Sequence, residues 1–469
     1  ETGIMILPGT EKVWVDGKEV QRGSDNDYTI DYSRGTIQFT PRQLITAFSR
    51  ISVDFEYSVE NYQRDFYSGS LGTRFFDGKL EFKLTGIAEK DNRDHPISYA
   101  LSSEEKEILS QAGNDVFKAA KDGAEFVGEG KGNYDLSHDS LGNPYYQWVG
   151  SDSGSYQVSF SWVGESKGSY QYKGGGIYSY VYPGNGDFLP QILLPLPQSH
   201  SLFDFDLSFL PTNTFKAQIE WAKSKKDLNT FSSKDDQNNW GDAFSLKSVY
   251  EESVFGLNRL KLEGSYRFFK KDFFPFGRVD FVEKERLWDL PGDSPKLNEE
   301  TYQFNGIISP TKSVVLDFDY GELSLERVFK SQRKKLGLEF LPADWISAKG
   351  STERIDSKKF DQESAETDGK WIRNQFFLNN RIYKVSTTWG WEQERRETSV
   401  SRLIADGDRF NQLSGKFSLE ELSMLKASTE LIYREDDKFK KAWRDESFSY
   451  IWRNRFSLRD YKKMLSSDL

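Results

Sequence analysis

The stretch LKLEGSYRF, residues 260–268, places Leu260, Leu262, Gly264, Tyr266 and Phe268 at one parity and Lys261, Glu263, Ser265 and Arg267 at the other. An extended chain sends alternate side chains to opposite faces, so this segment reads as a strand with one apolar, ring-bearing face and one charged face. The same alternation recurs on both sides of it. Phe203, Phe205, Leu207 and Phe209 alternate with Asp204, Asp206 and Ser208, and Phe215, Ala217, Ile219 and Trp221 with Lys216, Gln218 and Glu220. Leu316, Phe318 and Tyr320 alternate with Asp317 and Asp319. Further apolar rows run Tyr383–Trp391, Leu425–Tyr433 and Phe448–Trp452. The fold class expected is all-β and antiparallel.

These rows cover roughly 9–12 residues, beyond the ~5–6 of soluble strands and close to the ~9–11 that cross a bilayer at a tilt. Tight turns are expected at YGEL (320–323) and around Asn379-Asn380, and long polar loops over 232–242, 286–300 and 357–370. Short connections at one end and long ones at the other are the habit of an outer-membrane-type β-barrel. In such a barrel Lys261, Glu263, Arg267, Asp317 and Asp319 line the pore.

The totals agree. Rings make up 15% of the chain while hydrophobic residues reach only 36%, so each ring needs a defined face with polar residues opposite. No run approaches the ~18–20 apolar residues of a membrane helix. The densest segment, FLPQILLPLP at 188–197, holds three prolines. There is no cysteine, which removes disulfides, thiolate metal sites and cysteine nucleophiles, and His95, His138 and His200 lie far apart. A net charge of −10 with interspersed signs disfavours a nucleic-acid partner. No Ser-His-Asp order, nucleophile elbow or phosphate loop stands out, and DLSHDSLGN (135–143) and KDDQNNWGD (234–242) miss the calcium-loop spacing. The expectation is a protein with no catalytic residues, no metal and no cofactor.

Upstream, residues 1–58 read as a small β module with a hairpin at Asp16-Gly17 and another at Ser33–Gly35. Residues 59–98 form a hairpin turning at Asp77-Gly78, taken as the first barrel strands. Residues 99–123 are a helical insertion, opened by a capping box of Ser102 with Glu105, stopped at Gly113 and followed by a second short helix before Gly123. Residues 124–190 carry glycine–aromatic repeats, and 191–469 the remaining barrel strands.

The repeats are VGEGKGNY (127–134), VGSDSGSY (149–156), VGESKGSY (163–170) and a looser YPGNGDF (182–188). Their closing rings, Tyr134, Tyr156, Tyr170 and Phe188, are 22, 14 and 18 residues apart, which is no single period. A phosphate loop's Lys-Ser/Thr is absent. The favoured reading is tight reversals, with Gly128, Gly132, Gly150, Gly154, Gly164 and Gly168 freeing the backbone and each ring restarting a strand. The other reading is an aromatic ladder offered to a ligand.

The segment RGSDNDYTIDYSRGTIQF (22–39) resembles one found in very large bacterial outer-membrane β-barrels, including the gliding-motility/type IX secretion translocon barrel, where forms like G-x-D-Y-x-I-D-Y-x-x-G-x-I occur. Gly23, Asp27, Tyr28, Ile30, Asp31, Tyr32, Gly35 and Ile37 carry the likeness, and Ser24-Asp25-Asn26 lengthen its first spacing. The resemblance implies an outer-membrane location and a role in export or surface assembly, and it carries over no binding residue.

The expectation is therefore an outer-membrane β-barrel acting as a pore, export or surface-assembly scaffold, with outer-membrane lipid and other cell-envelope proteins as partners. The competing expectation is a secreted or surface-attached soluble β-protein that binds a partner through loops and aromatic rows. The chain does not start with Met and ends at Leu469 rather than on an aromatic residue. The expectation is a processed product or a piece of a longer protein, whose closing strand or neighbouring chains complete the wall.

Overall fold

The computed structural model describes residues 5–43, 45, 49–58, 61–97, 100–253, 256–291, 296–360, 366–401, 403–422, 425–439 and 442–458. One antiparallel sheet of fifteen strands dominates them. Its strands are Tyr62–Phe75, Leu80–Pro96, Ser199–Phe209, Phe215–Asp227, Trp240–Glu252, Arg259–Phe269, Glu299–Thr311, Val314–Leu325, Phe329–Ala343, Ile346–Lys359, Thr367–Ile382, Val385–Val400, Leu403–Leu422, Leu425–Phe439 and Trp443–Leu458. Each pairs with the one before and the one after, so the sheet is an uncrossed meander. Among the described residues no ladder joins Tyr62–Phe75 to Trp443–Leu458. The surface area is 29831 Å², against roughly 18,000 Å² for a compact chain of 54.2 kDa, so an unusually large share of the chain stays accessible.

The strands run 11 to 20 residues, longer than expected, because many continue past their apolar rows into charged extensions. At one end the connections are short, for example Lys312-Ser313, Asp344-Trp345 and Tyr383-Lys384. At the other end 97–198, 228–239 and 270–298 are long, and then the connections shrink to 326–328 and 440–442 in the C-terminal half. Two expected turns are strand interior. Asn379 and Asn380 pair with Ser347 and Ile346, and the chain reverses at Tyr383-Lys384. Tyr320–Leu323 lies inside Val314–Leu325; Gly321 marks a packing contact there, since a Cβ would stand 2.6 Å from the Trp288 ring. Part of the expected 357–370 loop is strand, and 361–365 lie outside the described residues.

The 97–198 connection carries two units of its own. The helix Ser103–Ala112 has its capping box, Glu105 N–H donating to Ser102 Oγ and Ser102 N–H to Glu105 Oε2. Lys121 beside Glu105, then the Ser102 amide, hold that carboxyl below its usual range. The second helix expected over 114–123 is instead one turn on Asp115 followed by the strand Ala120–Asp122. That strand pairs with Gln191–Leu193 and clamps together the two ends of the repeat region.

Between those ends the repeats form two four-stranded sheets of the same topology. The first orders Ala124–Phe126, Tyr156–Val158, Tyr134–His138 and Pro144–Trp148; the second orders Ser161–Trp162, Phe188–Leu189, Tyr170–Gly174 and Ile177–Tyr180. The uneven spacing is thereby explained. Tyr134 corresponds to Tyr170, 22 + 14 = 36 residues on, and Tyr156 to Phe188, 14 + 18 = 32 on. The chain holds a tandem duplication of one hairpin-containing unit. The glycines fall in two classes. Gly128, Gly150 and Gly164 have φ of 97°, 119° and 116° and make the reversals. Gly132, Gly154 and Gly168, with the unpredicted Gly186, sit where two backbones cross: a Cβ at any of them would meet the opposing main chain at 2.4–2.5 Å. The reading of all six as free reversals therefore holds for the first class only.

Residues 5–58 build small sheets from short strands, with the Asp16-Gly17 reversal between Lys12–Val15 and Lys18–Val20, and Tyr28–Asp31 paired with Thr36–Phe39.

Candidate functional site

Register decides which residues share a face of the large sheet. Leu316, Leu338, Gly350, Phe376, Trp391, Leu413, Tyr433 and Tyr450 pair in one unbroken rung. Their face is the exposed one. Leu336 is 63% exposed, Trp389 59% and Tyr450 68%. The opposite face carries the charges and is sheltered: Glu353 is 6% exposed and Glu394 8%. A water-soluble sheet does the reverse. Rings border the apolar rows at both ends, Trp221, Tyr302, Tyr320 and Trp391 toward the long loops and Phe209, Phe340, Trp345, Tyr383 and Phe417 toward the short turns. Beyond the loop-side border lies an amide ladder across four strands, Thr352 to Asn374 (2.8 Å), Asn374 to Gln393 (3.1 Å) and Gln393 to Asn411 (3.1 Å).

All five residues expected to line a pore lie on the charged face. Lys261, Glu263, Asp317 and Asp319 cluster toward the short turns, where Lys247 and Lys261 hold Glu263 (2.8 and 3.4 Å) and Lys335 spans Asp317 and Asp319 (3.5 and 3.9 Å). Arg267 is elsewhere, at the loop end, paired with Asp280 (2.6 Å) and Glu299 (3.0 Å).

That second location is the more elaborate site. The 270–298 connection folds onto the charged face and places the helix Lys284–Trp288 against it. Trp288 is buried among Leu323, Leu325 and Phe329. Around this apolar anchor the contacts are ionic. Lys284 Nζ meets Glu299 (2.6 Å) and Asp280 (2.8 Å), and Arg396 meets Asp289 (2.6 Å), which also accepts from Ser357 (2.7 Å). Alternating charges run from the wall into the segment: Arg333 to Glu353, Glu353 to Arg373 (3.1 Å), Arg373 to Glu394 (3.2 Å), Glu394 to Arg286 (2.6 Å). Arg286, Arg373 and Arg396 also ring the Trp371 indole at 4.8, 4.9 and 5.7 Å. Burial, with Arg373 and Arg50 nearby, pulls the Arg286 guanidinium below its ordinary value against the pull of Glu394.

The chain of charges continues into the N-terminal module. Glu283 binds Arg286 (3.5 Å) and Arg50 (2.8 Å), and Asp54 grips Arg278, whose guanidinium lies 5.6 Å from the Trp14 ring. Inside the module Glu11 is held below its usual range: burial acts upward, and the Tyr32 hydroxyl and Arg22 outweigh it. So the module is tied to the segment, and the segment to the wall.

The repeat residues build a different site. Tyr134 and Tyr170, 2% and 1% exposed, exchange hydroxyls across the duplicated sheets. Tyr178 N–H donates to Tyr134 Oη (3.0 Å) and Tyr146 N–H to Tyr170 Oη (2.7 Å). Phe160 packs between them, with ring centroids 5.4 and 4.7 Å away. Burial pushes the Tyr170 phenol up to about 12. Here the rings form the core between two sheets, and the exposed ones are Phe126, Trp162, Tyr172 and Tyr182.

Sequence reasoning missed Arg286, Arg333, Glu353, Arg373 and Glu394. Their strand charges lie at alternate positions, as in the stretches that were read, but partners of opposite sign become visible only once register is known. Among the described residues no three His, Cys, Asp or Glu side chains gather to hold a metal ion, and no helix is long and apolar enough to cross a membrane.

Residues 1–59 match the model of a domain of unknown function, DUF8818. No curated protein matches the chain. Among solved structures, the P pilus usher (PapC) translocation pore aligns over 87% of this chain and 89% of its own at 8% identity and a TM-score of 0.19, a likeness too low to carry an argument.

Proposed function

We propose that this chain forms the wall of an outer-membrane β-barrel with a charged, wet interior, serving as a pore or scaffold for export or surface assembly. The segment around Lys284–Trp288 and the N-terminal module are its internal occlusion. One observation carries the reading: the large sheet exposes its leucines and rings and shelters its carboxylates and guanidinium groups. In water that arrangement wastes the hydrophobic driving force. In lipid it places apolar side chains against acyl chains and charges against water. The apolar set from Leu260 to Phe268 spans roughly 27 Å of strand at ~3.4 Å per residue, hence roughly 20 Å of height at a ~40–45° tilt, near the ~25 Å apolar band of such barrels. The two borders of rings suit the aromatic girdles at lipid–water interfaces. The proposal involves no covalent chemistry; outer-membrane lipid contacts the ring face, and other envelope proteins meet the long loops.

An unpaired sheet edge is not tolerated in hydrocarbon, so the proposal requires that Tyr62–Phe75 and Trp443–Leu458 be paired in the membrane, with each other or through further strands. The lack of such pairing among the described residues favours the second reading, an open surface-attached β-protein. Purification separates the two. A chain that needs detergent and shows heat-modifiable gel mobility fits the barrel; one that stays monodisperse in plain buffer removes it. Planar-bilayer recording then tests the pore: steps of conductance are expected, and silence at every voltage leaves only the scaffold.

A further inference from the structure

At the mouth of the sheet, on its charged side, three lysines from three chain segments line one pocket. Lys226 is next to last in the strand Phe215–Asp227, Lys271 follows Arg259–Phe269, and Lys296 precedes Glu299–Thr311. Asn114, Leu228, Asn238, Asn239, Asp272 and Phe274 complete the lining. The Lys296 and Lys226 ammoniums lie 3.7 and 4.9 Å from the centre of the same Phe274 ring, so repulsion between them is built in. Among the described residues none of the three lysines is in an ion pair within 4.0 Å; Asp272 is the carboxylate that lines the pocket. Burial, and then Lys226, lower the Lys296 ammonium, with Asp272 acting the other way.

The site is held in place by its backbone. Phe274 N–H donates to Ser224 Oγ (2.9 Å) and its carbonyl is hydrogen-bonded to His200 Nε2 (2.9 Å). Lys226 N–H donates to the Asn239 carbonyl (2.8 Å) and Lys271 N–H to Asn298 Oδ1 (2.8 Å). The Asn114 side-chain oxygen is buried with no donor facing it. Three lysines with one lining carboxylate leave a surplus of positive charge and donors at the pocket that a tetrahedral oxyanion satisfies.

We infer that the pocket of Lys226, Lys271 and Lys296 is a binding site for a phosphate-class oxyanion, free in solution or carried on a lipid headgroup. The inference does not depend on whether the sheet closes in a membrane.

Isothermal titration of the full-length protein with pyrophosphate, and separately with short-chain dihexanoyl phosphatidic acid, tests it and distinguishes the two sources. Saturable binding of at least one is expected. Lys226→Gln or Lys296→Gln should weaken it roughly tenfold each, as expected for a lost charge-assisted contact. Lys226→Arg should retain binding, and Lys334→Gln, an exposed lysine on the ring face, should leave it unchanged. Matching circular dichroism spectra confirm that the variants fold. No saturable heat with either probe, or equal affinity in the Lys226→Gln/Lys296→Gln double variant, overturns the inference.

Discussion

Two regions of this chain are rich in rings and use them in opposite ways. In the duplicated unit at 124–190, Tyr134, Tyr170 and Phe160 are packed between two small sheets, with charged residues such as Glu125 and Lys131 outside. In the fifteen-stranded sheet, Trp389, Trp391 and Tyr450 face outward while Glu353 and Glu394 are sheltered. Local sequence does not separate these cases, since both alternate with a period of two. The small unit satisfies its rings by folding one copy against the other. Among the described residues the large sheet has no second apolar layer over its ring face, so those rings remain for an outside medium to cover.

The comparison breaks first at the glycine crossings. Gly168→Val drives a side chain into the Phe188 backbone, where even a Cβ would stand at 2.4 Å. The expected cost is well over ~4 kcal/mol, in the range of the most damaging single substitutions. It should appear as protease sensitivity confined to 124–190, with the large sheet intact; loss of both regions together would show that they are one folding unit. Trp288→Ala comes next. It removes the apolar anchor of the segment on the charged face, at about 3–5 kcal/mol. Limited proteolysis within 270–298 should increase, and any conductance should rise; an unchanged cleavage pattern would mean that the ion pairs alone hold the segment.

Leu338→Arg sharpens the contrast most directly, because the two media give different answers at one exposed position. In lipid the substitution should destabilise by about 2–4 kcal/mol, whereas on a wet surface it should stay within about 0.5 kcal/mol. Urea unfolding in lipid vesicles against buffer reads the difference. The smallest effect is on pH. Burial raises the folded Tyr170 phenol to about 12 from its ordinary 10.0, so its contribution to stability is complete below pH 10 and is lost as pH climbs through 10–12. Near-UV circular dichroism of the tyrosines should fall late in that window, and Tyr170→Phe should flatten the fall; a single transition at pH 10 would show that the unit is open to solvent.

Much of the large sheet was legible. Alternation at 203–209, 215–221 and 260–268 placed strands there and sorted their faces correctly, because period two is a purely local consequence of extended backbone. Turns were less legible. Gly321 and Asn379-Asn380 look like reversals, yet Gly321 is small to admit a ring from 33 residues upstream, and the two asparagines sit in the ladder. The second helix before Gly123 failed for a related reason: Ala120–Asp122 has a strand partner at Gln191–Leu193, beyond the reach of propensity. The five candidate pore residues share one face as read, but Arg267 belongs with Asp280 and Glu299 instead of with Lys261 and Glu263.

By itself, then, the sequence determined the two-faced strands, the capping box at Ser102 and Glu105, and the Asp16-Gly17 hairpin, all features set by neighbours within a few residues. Tertiary structure alone decided that the four repeats are two copies of one unit, that half of their glycines mark crossing backbones, and that Arg333, Glu353, Arg373, Glu394 and Arg286 form a single line of charge. Each of those depends on register and long-range approach, where a residue's role comes from an atom of a distant segment rather than from its own place in the pattern.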